Sequence, residues 1–230
     1  MEWIQKRGYL LGTASLGLLI LGGYLALVWS PPDVVQKDAM RILYLHVPTI
    51  MIAYLAFFLV LVGSVMYLWK RDLTWDRLAG SSAELGVLFT ALTLAAGSIW
   101  AKPIWGVWWT WDPRVTTTAI LFVIYAGYLM LRALQPDPIA RARQTAVVGI
   151  IGFIDIPIVH MSVTWWRSLH QGPTFSLGQD PTLDDRMEVA LVVNMVGFLL
   201  LFLFLLGQRL RLARMEQRRD ELLWEEIQRV

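Results

Sequence analysis

Val189-Ala190-Leu191-Val192-Val193-Asn194-Met195-Val196-Gly197-Phe198-Leu199-Leu200-Leu201-Phe202-Leu203-Phe204-Leu205-Leu206-Gly207 holds one amide side chain and no charge. About 20 apolar residues in a helix cross the hydrocarbon core of a bilayer. The run shows no alternation of apolar and polar residues, and only a helix satisfies its own backbone in lipid. Working outward, five further runs read the same way: Gly8–Trp29, Leu45–Trp69, Ala79–Trp100, Val115–Leu131 and Thr145–Val163. The first is too long for a signal-peptide core and lacks a small-residue cleavage pattern before Ser30-Pro31-Pro32, so it reads as a retained span. Of the 230 residues, 57% are hydrophobic and 17% charged. That balance excludes a disordered chain and a strongly charged nucleic-acid binder. The expected fold is an all-α integral membrane protein with six transmembrane helices, a tryptophan-rich outer loop and a cytoplasmic C-terminal helical tail.

Charge sets the sidedness. With six spans both termini share a side. That side, made of the N-terminus, the 70–78 and 132–144 loops and the tail, carries fourteen of the 20 Lys and Arg. The opposite loops carry six: Lys37, Arg41, Lys102, Arg114, Arg167 and Arg186. The positive-inside rule therefore places both termini in the cytoplasm. Residues 1–207 read as the six-span domain and 208–230 as a cytoplasmic tail of mixed charge. In the tail, Arg209, Arg211, Arg214, Arg218 and Arg219 precede Glu221, Glu225 and Glu226 at helical spacing. The absence of cysteine excludes disulfides, thiolate metal sites and covalent c-type haem on this chain. There is no GxxxxGK[ST], so an ATP-driven process would need another subunit.

The rare residues gather on the outer side. The three histidines, His46, His160 and His170, fall there. So do Trp100, Trp105, Trp108, Trp109, Trp111, Trp165 and Trp166. An interfacial aromatic belt explains Trp29, Trp69 and Trp75. It explains poorly five indoles within residues 100–111, interleaved with Lys102 and followed by Asp112 and Arg114. Such an aromatic surface suits a large flat apolar ligand. Haem gives a joint reading: flat faces for the indoles, iron for imidazole, and propionates for Arg114, Arg167, Lys102 or Arg41. Asp112 would repel a propionate, so it is expected to orient Arg114, a turn or an indole N–H. The residues alone leave open which histidines bind iron. Glu84 and Asp155 stand isolated within the spans and read as helix–helix hydrogen-bonding groups.

Trp105-Gly106-Val107-Trp108-Trp109-Thr110-Trp111-Asp112-Pro113-Arg114, within a motif spanning 100–116, resembles the WWD signature of haem-handling membrane proteins. Among these the sequence most resembles the CcmC family of system I cytochrome c maturation. The stretches Leu43–Pro48, Gly97–Pro103 and Ile156–Gly172 extend the likeness. The resemblance implies haem b as a non-covalent ligand at the periplasmic face of the bacterial inner membrane. It implies His46 and His170 as axial ligands, Trp105 to Arg114 as the platform, and Trp100 at the rim. His160 falls within a matching stretch but off the axial positions. Pro113 stands where the family pattern suggests a smaller, more flexible residue. The implied partners are the haem chaperone CcmE, the ABC transporter subunits CcmA and CcmB, and the small protein CcmD.

The reading is of a binding and transfer protein, not an enzyme. A membrane b-type cytochrome is the alternative. It would usually place haem ligands within facing spans, whereas all three histidines here are outer. A system II-type haem-attachment subunit would be larger and richer in histidine. A permease with an aromatic mouth would bind no haem.

Overall fold

A computed structural model describes residues 2–170 and 183–227. Gln171 and Gly172, which end one motif stretch, and the last three residues of the tail lie outside the described residues. Seven helices form in order: α1 (Glu2–Tyr24), α2 (Leu43–Lys70), α3 (Leu73–Trp105), α4 (Pro113–Leu134), α5 (Pro138–Phe153), α6 (Asp155–Trp165) and α7 (Asp185–Ile227). A π-turn at Leu25–Trp29 extends α1, and a 3₁₀ turn at Asp38–Ile42 leads into α2. Six stretches are long and apolar enough to cross a membrane. The chain is an all-α integral membrane protein.

Helices in lipid associate through close packing of small side chains, because lipid tails are as apolar as leucine. The α2–α3 pair follows this rule. Ala53, Ala56, Val60 and Gly63 on one helix and Ala79, Ala83 and Gly86 on the other are buried at helical spacing. Larger rings fill the space behind this seam. Phe57 stacks on Tyr125 at 3.8 Å between centroids, and Phe89, Leu121 and Phe202 are fully buried beside them. Helix α1 packs along α7, where Asn194 Nδ2 donates to the Gly22 carbonyl at 3.1 Å.

Several boundaries differ from those expected. The 70–78 loop shrinks to Arg71 and Asp72, because Arg71 takes a left-handed conformation and Asp72 accepts from the Thr74 N–H as an N-cap. Helix α3 runs on to Trp105, so Trp100 and Trp105 sit on a helix and the tryptophan-rich loop is only 106–112. Gly106, at φ +78°, ends α3 in a conformation that disfavours any side chain. The fifth span starts at Pro138, capped by Asp137, and breaks at Ile154. Pro157 is the cause: it lacks an N–H and its ring crowds the carbonyl four residues back, at Phe153. The sixth span and the tail form one unbroken helix through residue 207.

Candidate functional site

The N-terminal ends of α2 and α4 and the C-terminal ends of α3 and α6, with His170, surround an open cavity. Helix α2 packs on α3, α5 and α7, whereas α6 packs on α4 and α5. The halves of α2 and α6 that border the cavity are thus held apart. Leu43, Val47, Ile50 and Tyr54 line one wall from α2; Leu94, Gly97 and Ala101 line the next from α3. A smaller cavity adjoins it, and His46, Gly97, Trp100, Ala101, Trp105 and His170 line both. The lining is mostly apolar and aromatic with a few convergent polar groups, the usual make-up of a small-molecule site.

His46 lies in the first turn of α2, and its Nδ1 is 3.1 Å from the Thr93 carbonyl of α3. A carbonyl only accepts, so Nδ1 carries the proton and Nε2 keeps its lone pair. Trp100 meets the ring edge-on at 5.7 Å, while its indole N–H donates to Gln36 Oε1 at 2.8 Å. Gly97 provides the room, since a Cβ there would stand 3.0 Å from His46 Cε1.

His170 is placed differently. Its Nδ1 is 2.8 Å from Asp112 Oδ1, so Nδ1–H donates to the carboxylate and Nε2 is again left with its lone pair. Trp105 meets this ring edge-on at 4.9 Å. Asp112 also caps α4 by accepting from the Arg114 N–H, and its Oδ2 accepts from the Ser168 hydroxyl and the Leu169 N–H. Burial alone would raise the Asp112 pKa. The bonds from Leu169, Ser168 and His170 outweigh it and hold the carboxyl below its ordinary value. Burial pushes the His170 pKa down and favours neutral imidazole, against the opposing pull of Asp112.

The remaining sequence candidates divide. Trp108, Trp109 and Arg114 line the large cavity. Trp111 lines neither cavity: it is 81% exposed and meets Trp109 edge-on at 5.8 Å. Asp112 likewise lines neither cavity and is bonded to His170. Of the four cations expected near a propionate, Arg114 alone lines a cavity, and it also donates to the His160 carbonyl at 3.2 Å. Lys102 Nζ is engaged by the Gly106 carbonyl, and Arg41 pairs with Asp38 and donates to the Ser30 carbonyl. His160 also borders the large cavity. Sequence reasoning missed Thr93, Gln36 and Ser168, which hold the histidines and Trp100. It also missed Thr110, which lines the cavity and whose buried hydroxyl has no hydrogen-bond partner among the described residues.

A family model described as heme exporter protein C matches residues 1–225. The chain belongs to the heme exporter protein C family. Relatives agree along its length. It is 35% identical to heme exporter protein C of Haemophilus influenzae over 212 residues, covering 92% of this chain and 86% of that one. It is 34% identical to heme exporter protein C of Escherichia coli, with 91% and 85% covered. It is 33% identical to a putative cytochrome c biosynthesis ccmC-like mitochondrial protein of Marchantia polymorpha, with 81% and 79% covered. The heme exporter protein C match takes in both histidine segments, the tryptophan loop and all six spans.

Proposed function

We propose that this chain holds haem b as cargo at the periplasmic face of the inner membrane and passes it to a periplasmic haem chaperone for cytochrome c maturation. Family membership supports haem handling. One observation carries the site: two imidazoles from distant segments face one cavity, each with Nδ1 engaged and Nε2 left to ligate. Neutral imidazole with its far nitrogen fixed by a hydrogen bond is the ligand iron prefers. His46 and His170 serve as the axial pair. Trp100 and Trp105 hold their rings, and Trp108 and Trp109 wall the macrocycle. Arg114 meets its propionates.

Bound haem supplies a redox-active, ligand-exchanging iron; the residues here orient it, shield its faces and neutralise its carboxylates. Export-type energy comes from other subunits, for which the ATPase and membrane components CcmA and CcmB with CcmD are the family's candidates. CcmE is the candidate acceptor. The test is an absorption spectrum of the purified chain, oxidised and reduced, beside a His46→Ala/His170→Ala double variant. A low-spin b-type Soret pattern in the parent, lost in the variant, is expected. Wild-type spectra and haem content in the variant would remove the axial assignment. Haem retained after chaperone is added would favour the b-type cytochrome reading instead.

A further inference from the structure

The two imidazoles have unlike partners. His46 donates to a neutral peptide carbonyl, and His170 donates to a carboxylate whose side chain is 1% exposed. A carboxylate acceptor on Nδ1–H draws the ring toward imidazolate and raises the basicity of Nε2. A dry site strengthens that bond, because no water competes for it. The same carboxylate holds Arg114 N–H, Ser168 Oγ and Leu169 N–H, so the segment that carries His170 is anchored to the first turn of α4. We propose that Asp112 is a positioning residue that makes the two axial donors unequal. His170 is the stronger ligand and the one kept longest; His46 is the weaker and is given up first when the cargo leaves. This rests on the haem reading above.

The order of release follows from the asymmetry. A protein that hands over ligated iron must free a coordination site while the other ligand still holds. Here the chemistry assigns that site to the α2 face. Asp112, the residue that closes the tryptophan signature, therefore acts on the iron through His170 rather than on the macrocycle.

The experiment uses the full chain in detergent, loaded with haem, as wild type, His46→Gly and His170→Gly. In the reduced single-histidine forms, resonance Raman reads the iron–histidine stretch. It is expected at higher frequency in His46→Gly, where the carboxylate-bonded ring remains. Adding Asp112→Asn to His46→Gly should lower it to the His170→Gly value, because Asn keeps an acceptor oxygen but loses the charge. Carbon monoxide displaces the weaker ligand from reduced wild type, so that adduct should match the His46→Gly adduct in its iron–carbon and C–O frequencies. Equal stretches in the two single-histidine forms, or a wild-type adduct matching His170→Gly, would overturn the proposal. Should the Asp112 variant not fold, those two comparisons decide without it. Haem bound in none of the three proteins, wild type included, would overturn the haem reading itself as well.

Discussion

Gly97 is a test of how tightly the His46 ring is held. A methyl group at this position would stand 3.0 Å from Cε1 and 3.4 Å from Nδ1 of the imidazole, so the ring would have to shift by a few tenths of an ångström. Overpacking of this kind costs about 1–3 kcal/mol. Gly97→Ala is therefore expected to weaken haem retention by roughly ten- to a hundredfold while the helical content is unchanged. Haem titration followed by the Soret band, with circular dichroism alongside, checks it; unchanged affinity would mean the ring has room elsewhere. At this scale the sequence was informative about ligands and poor about their supports. His46, His170, Trp105, Trp108 and Trp109 stand out as rare residue types in one short region. Thr93 meets His46 through its backbone carbonyl, which any residue could supply, so its identity carries no signal for that contact. Asp112 was legible as a turn former and a partner for Arg114, and its bond to His170 was not. The two lie 58 positions apart, and only the packing of α4 against α6 brings them together.

Among the elements, α3, α4 and α5 are joined by an ion pair at the end of the bundle away from the cavity. Arg132 reaches Asp76 through two bonds, at 2.6 and 2.9 Å, and also donates to Thr145 at 3.2 Å. The Asp76 side chain is 4% exposed and that of Arg132 17%. Such a pair contributes little net stability, yet removing one partner strands the other; that costs about 3–5 kcal/mol. Asp76→Ala should lower thermal stability in detergent by that order, and Asp76→Asn should recover part of it. A variant with Ala at 76 and unchanged unfolding would show that water reaches the guanidinium. Gly80 belongs to the same arrangement, since a Cβ there would come within 2.7 Å of the guanidinium carbon. Glu84, which reads as an isolated polar group within a span, pairs with Arg209 and so joins α3 to α7. Apolar runs located these helices because burial in lipid demands them, while their ends depended on caps. Asp72, Asp137 and Asp112 each moved a boundary outward by satisfying free N–H groups. The break at Ile154 follows from Pro157, whose effect on the carbonyl four residues earlier does not interrupt the hydrophobic run.

For the whole molecule, the orientation rests on the charge asymmetry, and the lack of cysteine makes it directly measurable. Val34, 83% exposed in the segment between α1 and α2, and Pro136, in the short connection between α4 and α5, lie on opposite sides in the proposed topology. In intact spheroplasts a membrane-impermeant maleimide should label Val34→Cys and spare Pro136→Cys until the cells are lysed. The reverse pattern would invert the protein and place the histidine cavity inside. Six spans were legible because apolar length is a physical requirement of the bilayer. The gap between the halves of α2 and α6 that border the cavity was not, because it arises from which helices pack together. One further consequence follows from α7. At about 1.5 Å per residue its 43 residues measure roughly 65 Å, about twice the hydrocarbon thickness. Counted from Gly207, some 30 Å of continuous helix continues past the apolar run, and Arg77 of α3 still holds it at Gln217. Any assembly built at this end of the bundle therefore meets the side of a helix rather than a flat face.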